Sequence, residues 1–426
     1  MKTFPIKKAM AAALLASMLF TGCAQKQASA PVKNDTDVKT EINLNEVASK
    51  SFDEDKMNAE YSRYSFDLMA QVAAKVKKNC NIMISPASIM MALDMCAAGA
   101  KSETLKQLTD LFAKDEDPLE QQAFAADLMK KINNAGKVEF ACANAIWTNE
   151  SIMGNNMNSE YRNYIRKTFD AEFRSVKFGP VTHEEINKWV EDKTNHMIKD
   201  VVPELDPATV MVLVNAIRFE AKWANPYKDS DISNLVFHGV DGDKTTPMLS
   251  SKEKDYFQTA KATGFIKYYE DNDYAFLAIL PADEKANANE FIKTFTYNDY
   301  KEFVNSRKSV SVHAIMPEFK SDFEQVMNDE LKGLGATDAF NPDKADFTGI
   351  ANSVNGRIFI SQVIHKTHIE VDRKGTKAAA STVIITKRNG AVMRDFETVI
   401  CDRPFVYAIV NVKTMNPVFI GTVNNV

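Results

Sequence analysis

The sequence predicts one large α+β domain over residues 55–426, on three observations. Between about 53 and 215 apolar residues recur mostly at helical spacing. From 209 onward they gather into short runs of the kind strands use, closing in a hairpin. No internal repeat and no linker-like stretch divides the two halves, so the 426 residues read as one domain behind a leader, although the length alone would allow two or three. A composition of 45% hydrophobic and 26% charged residues excludes wholesale disorder. A net charge of -5, with no basic stripe, gives no field that would attract nucleic acid.

The chain opens with an export signal. Lys2, Lys7 and Lys8 form a positive start, and Ala9 to Phe20 is apolar apart from Ser17, too short for a stable membrane span. The run ends Leu19-Phe20-Thr21-Gly22-Cys23, which resembles a bacterial lipobox with Phe20 in place of the usual aliphatic residue. Residues 1–22 are therefore assigned to a lipoprotein signal peptide and Cys23 to lipidation. Residues 23–54, rich in Gln, Lys, Ser, Asn and Asp, are a flexible tether that would hold the domain off a membrane. The expected location is the outer membrane of a bacterium, on its periplasmic or outer face, with the lipid as the only membrane contact.

Within the domain, Phe66, Met69, Ala70, Ala73 and Val76 share one helical face. Ser85-Pro86-Ala87-Ser88 opens a second helix, Ile89 to Ala98, because a hydroxyl caps the free amides and proline suits the first turn. Gly99 ends it, and Ser102 begins the next with Glu103 in its first turn. Asn187 to Val202 reads as an amphipathic helix stopped by Pro203. Thr209 to Ile217 is almost continuously apolar, as in a strand buried on both faces. Tyr274 to Leu280, Val310 to Met316 and Arg357 to Ile364 read as further strands, and Pro404 to Val412 pairs with Val418 to Val423 across a turn.

Neither cysteine nor histidine spacing suggests a metal site, and no cofactor is expected. Cys80, Cys96, Cys142 and Cys401 could pair in an exported protein, but their apolar neighbours favour buried free thiols. His365 and His368 lie three apart without a ligand partner at metal spacing.

Residues 365–400 are unlike the rest. His365 to Val371 could be a strand, Asp372 to Gly375 a turn. The stretch Thr376 to Thr386 then lacks Pro and Gly, and one alternate face carries Thr376, Ala378, Ala380, Thr382, Ile384 and Thr386, all small or β-branched. The other face carries Lys377, Ser381, Val383, Ile385 and Lys387. Lys387 to Arg394 is polar and rich in bonds a protease can cut. The segment is either a solvated loop beside an edge strand or an exposed tip joined to a strand able to enter a sheet, and long irregular segments in compact domains are usually functional.

At several points residues 55–426 resemble the serpin family. Asn81 to Ile89 looks like the family's entry to its second helix; Leu213 to Phe219 with Lys222-Trp223 looks like a central strand of its main sheet. Met316-Pro317-Glu318-Phe319, Leu331, Leu334-Gly335-Ala336 and Asp402-Arg403-Pro404-Phe405 fit later stretches, and Gly375-Thr376-Lys377-Ala378-Ala379-Ala380-Ser381 fits the hinge of the reactive loop. The resemblance implies three β-sheets, about eight or nine helices and an exposed reactive-centre loop at about 373–398. It also implies a protease inhibitor, monomeric and not itself an enzyme. A serine or cysteine endopeptidase attacks a bait bond and becomes an acyl-enzyme; the cut loop enters the main sheet as a strand and traps it. A new strand of roughly fourteen residues gains ladder bonds worth on the order of 1 kcal/mol each, so the uncut fold is a kinetic trap.

The resemblance further assigns hinge roles to Gly375 through Thr382, and a sheet-opening role to Ser85, Ser88, Asn215 and His365, where an Asn–His pair bridges strands that part. It places Trp223 where insertion begins. Arg373 and Lys377 depart from the family, which commonly has Glu at both. The bait bond has two registers: counting from the hinge gives Asn389, counting back from Pro404 gives Met393. Arg388 beside Asn389 would suit a trypsin-like or Arg-specific protease, so the bond lies among Arg388, Asn389 and Gly390. The competing reading is a surface lipoprotein of the same fold that binds without inhibiting.

Overall fold

The computed structural model describes residues 41–134, 136–154, 157–194, 196, 198–206, 208–352, 356–376 and 396–426. Ten α-helices occur among them: α1 Glu54–Lys75, α2 Pro86–Ala97, α3 Ser102–Asp110, α4 Pro118–Asn133, α5 Glu150–Met153, α6 Ser159–Phe169, α7 Thr182–Lys193, α8 Ala288–Ile292, α9 Tyr297–Asn305 and α10 Asn328–Gly333. The strands are β1 Ile82–Ile84, β2 Glu139–Asn149, β3 Glu172–Val176, β4 Met211–Lys222, β5 Ile232–Gly239, β6 Gly242–Gln258, β7 Ala262–Tyr268 and β8 Tyr274–Pro281. They continue with β9 Lys308–Pro317, β10 Phe319–Val326, β11 Gln362–Val371, β12 Gly375–Thr376, β13 Phe396–Ile400, β14 Phe405–Asn411 and β15 Pro417–Val423.

Local signals set the helix starts. Asp53 accepts the Lys56 amide at the start of α1 (3.0 Å), and Ser85 accepts the Ser88 amide at the start of α2 with Pro86 in the first turn. Every residue of α2 is buried, including Asp94, which burial holds well above the usual carboxylate range. The helix lies between the sheets, packed on β4 and β15.

One sheet has the order β10-β11-β12-β4-β2-β3, with β11 also paired directly to β4 in parallel. The other hydrogen-bonded network has nine strands. The three expected sheets thus appear as two networks, because the 17-residue β6 pairs with β5 along its first half, with β9 along its second and with β7 at its end. A second apolar cluster covers the outer face of the six-stranded sheet, where Trp189 of α7 meets Trp147 of β2 edge to face at 6.5 Å.

Four readings from sequence need correction. The helix expected over Asn187 to Val202 is α7, shifted to Thr182–Lys193. His196 and Asp200 take positive φ, which breaks the helix, while Ile198, Val201 and Val202 still bury themselves on the sheet in irregular backbone. The strand expected over Arg357 to Ile364 starts only at Gln362 and runs on to Val371. Before it, the Ile360 and Ser361 amides are satisfied by the carbonyls of Ala339 and Met211 instead of a regular ladder. The tether expected to reach residue 54 ends earlier, since Ile42 and Val47 are buried in the main core. Cys80 is exposed in a turn, whereas Cys96 and Cys401 are buried free thiols.

Gly421 of β15 lies against the ring of Tyr407, where a Cβ would sit 2.3 Å from Cζ. Gly421→Ala is expected to destabilise the domain by about 1–3 kcal/mol, seen as a lower thermal midpoint; an unchanged midpoint would mean that the ring moves aside freely.

Candidate functional site at the opening seam of the six-stranded sheet

β4 and β11 run side by side in parallel from Val212↔Gln362 to Arg218↔His368. Above that point β12 stands between them, antiparallel to both: Gly375 and Thr376 pair with Lys222 and Ala221, and Thr376 also pairs with Val371. The sheet is therefore already parted at its top, and Gly375 and Thr376 occupy the gap.

The sequence-predicted residues of the seam come together at its middle. His365 and Asn215 are register partners on β11 and β4, both buried. Their side chains are joined through α2 rather than to each other, which corrects the expected direct pair. Ser85 donates its amide to His365 Nε2 (3.1 Å) and its hydroxyl to the Val418 carbonyl (2.9 Å), and Ser88 donates its hydroxyl to Asn215 Oδ1. Asn215 Nδ2 in turn donates to Oδ1 of Asn144 on β2 (2.7 Å). Asn144 was not identified from sequence; its signal was a lone amide in the apolar run Phe140 to Trp147. The seam is thus bonded to the start of a wholly buried helix, a connected polar network in which each break exposes another polar group.

Accepting from Ser85 places the His365 proton on Nδ1, which has no hydrogen-bond partner among the described residues. Burial pulls the His365 pKa down to about 3. The imidazole is neutral in the folded protein at every ordinary pH.

The top of the seam is built around Trp223. Its ring stacks on Tyr269 at 4.7 Å and 8°, its Nε1 donates to the Asp372 carbonyl (2.8 Å), and its amide donates to the Lys374 carbonyl (2.9 Å). Beneath lies Lys267, 2% exposed, donating to Glu253 (3.0 Å) and to the Asn225 carbonyl (3.2 Å) with its Nζ 4.1 Å from the Tyr227 ring centre. Burial lowers the Lys267 pKa, and the Glu253 charge opposes that shift. The Tyr269 and Thr376 hydroxyls bond at 2.7 Å, so the Thr376 side chain is docked in the core.

Gly375 is required by close approach: a Cβ there would lie 2.1 Å from the Ala221 carbonyl oxygen. Arg373, one of the two departures from the family, has matching acids. Its side chain reaches Glu318 (3.2 Å) and Asp229 (3.1 Å), and its amide also donates to Glu318. The remaining hinge residues Lys377, Ala378, Ala379, Ala380, Ser381 and Thr382 lie outside the described residues. So do Arg388, Asn389, Gly390 and Met393, and so does Cys23.

A parted main sheet with a hinge strand at its mouth accords with what the sequence matches. The family model for serpins, described as serine protease inhibitors, matches residues 59–426. This chain belongs to the serpin family. A serpin-like protein of Methanosarcina mazei is 30% identical, over 98% of this chain and 97% of its own. Among solved structures, the native state of the thermophilic serpin tengpin is similar with a TM-score of 0.81 and 36% identity, covering 88% of this chain and 96% of that one. Its latent state gives 0.74 at 34% identity, covering 88% and 98%. Membership in the family carries protease inhibition as its general activity.

Two outcomes follow from the seam. His365 is unprotonated in the fold down to about pH 3, whereas the unfolded chain takes up the proton near 6.5. Its titration therefore takes nothing from stability above that value, and stability falls as pH drops from 6.5 toward 3, by up to about 1.4 kcal/mol per pH unit. Denaturant unfolding of wild type against His365→Gln should show a shallower acid slope for the variant; equal slopes would place the proton uptake elsewhere. Arg373→Glu should lower the unfolding free energy by about 0.5–1 kcal/mol, and adding Glu318→Arg should restore most of it; purely additive losses would show that the pair is not coupled.

Proposed function

We propose that this serpin inhibits serine endopeptidases, and cysteine endopeptidases of similar specificity, by suicide trapping. The observation that carries this reading is the two-residue strand Gly375–Thr376 standing between β4 and β11. Three registers agree. Gly375↔Lys222 and Thr376↔Ala221 fix one side, Thr376↔Val371 the other, and both are consistent with His365↔Asn215 below. Prolonged without a slip, an entering strand would bring Ala378, Ala380 and Thr382 onto the inward face. Thr382 would then arrive level with Asn215 and His365, able to bond to groups that the parting strands expose. The small, uncharged composition of that face suits the passage.

In chemical terms the protease hydroxyl adds to the carbonyl of the bait residue, Arg388 or Asn389. The peptide bond that follows breaks, the new amine leaves with a proton, and the bait residue stays joined to the protease as an ester. Insertion then carries the ester away before water can cleave it. An arginine beside the bond favours a trypsin-like or Arg-specific target. We further propose that the domain works as a monomer held to a bacterial outer membrane by a lipid on Cys23, guarding a cell against foreign proteases. No helix of the described residues is long and apolar enough to cross a membrane.

The test is a titration of the protein with trypsin, followed on denaturing gels and by mass spectrometry. A complex that survives SDS, with release of the peptide that begins after Arg388 or Asn389, is the expected result. Loop cleavage with neither a complex nor a higher melting temperature of the cut chain would favour the non-inhibitory reading.

A further inference from the structure

Asp94 lies past the middle of α2, fully enclosed, on a helix whose every residue is buried. Its two carboxyl oxygens are bonded unequally. Oδ1 accepts from Gln121 Nε2 (3.0 Å) and Gln122 Nε2 (3.2 Å) of α4, and Gln122 Nε2 also reaches the Asp94 carbonyl (3.0 Å). Oδ2 accepts from no described residue. Gln121 Oε1, the other end of the amide that bonds Oδ1, is buried too and without a described donor. A buried carboxyl and a buried amide thus share one hydrogen bond and leave two acceptors over. An ionised carboxylate can only accept, and out of water it needs donors or a cation at both oxygens; a protonated one has a hydroxyl to give.

The surroundings bring no charge to Asp94. Tyr64 faces it from α1 and Tyr164 from α6, and burial raises both phenols, so both stay neutral. Tyr164 donates to Gln122 Oε1 (2.9 Å), which turns that amide's nitrogen toward Asp94. Tyr161 of α6 gives its hydroxyl to the Met95 carbonyl (2.9 Å), and burial raises the Cys96 thiol. The described buried residues of α3, β2, β4 and β15, which also pack on α2, include no titratable group.

We propose that Asp94 stands in the fold as a neutral acid whose Oδ2 hydroxyl donates to Gln121 Oε1, closing a two-bond pair that locks α2 onto α4. One proton satisfies both orphaned atoms. The lock bears on the sheet because α2 is the helix that holds the seam. Ser85 and Ser88, bonded to His365 and Asn215, stand nine and six residues before Asp94 at the start of the same helix, roughly 9–14 Å along its axis. Ionising Asp94 would set an unpaired charge beside Gln121 Oε1 in the core. Relief requires the helix to shift toward water, which draws its start away from the two strands. The assignment does not depend on loop insertion.

The experiment compares the full chain as wild type and as Asp94→Asn, whose amide nitrogen can give Gln121 Oε1 the same bond with no proton to lose. The unfolded chain releases the Asp94 proton near 3.8, whereas the fold keeps it to higher pH. The stability this contributes is therefore whole below that value and is lost as pH rises. From about pH 5 upward the unfolding constant of wild type relative to the variant should climb by up to about tenfold per pH unit. Infrared spectra of wild type with aspartate labelled at the carboxyl carbon should keep a protonated-acid band at about pH 7, where an ordinary aspartate is ionised. That band needs no variant, so it decides the matter even should Asp94→Asn not fold. In hydrogen exchange corrected for base catalysis, the Ser85 and Ser88 amides should lose protection as pH rises in wild type and keep it in Asp94→Asn, while Phe276 to Ile279 of β8 keep theirs in both. No protonated-acid band, or a pH dependence that Asp94→Asn leaves unchanged, would overturn the neutral acid. Seam amides that hold their protection in wild type would overturn the lock on the seam.

Discussion

The direct pairing of β4 with β11 is the constraint on which the rest of the molecule depends. Seven register pairs hold the two strands in parallel, and above them a two-residue strand parts them. Parallel ladders are slightly weaker per residue than antiparallel ones, whereas β4–β2 and β11–β10 on either side are antiparallel. The outer face of β10 and β11 adds two cross-strand ion pairs, Lys320–Glu370 and Glu324–Lys366, and a hydrogen bond between His368 and Asp322. Each contributes little alone, being partly exposed, but all lie on the same side of β11. The sheet is thus better stitched on both flanks than at the seam.

Polar groups beneath the seam serve that arrangement. Ser85 caps α2 by accepting the Ser88 amide, and the two serines also hold His365 and Asn215 from below. A helix cap elsewhere in the fold, such as Asp53 on α1, satisfies only its own helix. Here the cap and the seam share their hydrogen bonds, so separating the strands disturbs the start of the most buried helix. The cost of exposing unpaired polar groups is what would keep an uncut chain closed. An entering strand with its own amides, carbonyls and a threonine hydroxyl can offset that cost.

Much of this was legible locally. Ser85-Pro86 marked a helix start because capping is decided within four residues. The strand Tyr274 to Leu280 and the closing hairpin were legible because unbroken apolar runs between turn residues leave few alternatives. Gly375 and the small residues after it pointed to a hinge. The segment 194–202 was misread because its apolar spacing fits a helix equally well, and only the positive φ at His196 and Asp200 shows otherwise. Residues 357–361 were misread for a similar reason: Ile358 and Ile360 are buried, but against a loop and not in a ladder.

What the sequence determined by itself was therefore what neighbours in the chain decide: caps, turns and apolar runs. What only the tertiary structure decided were partnerships between residues far apart in the chain. Asn144 joins Asn215 across 71 residues, Trp223 reaches Asp372 across 149, and Arg373 finds Asp229 across 144. Nothing in local spacing encodes such pairs. Arg373 looked like an isolated departure in one dimension; folded, it meets acids supplied by other segments. The physical reason is that sheet register, fixed by the whole fold, decides which charges become neighbours.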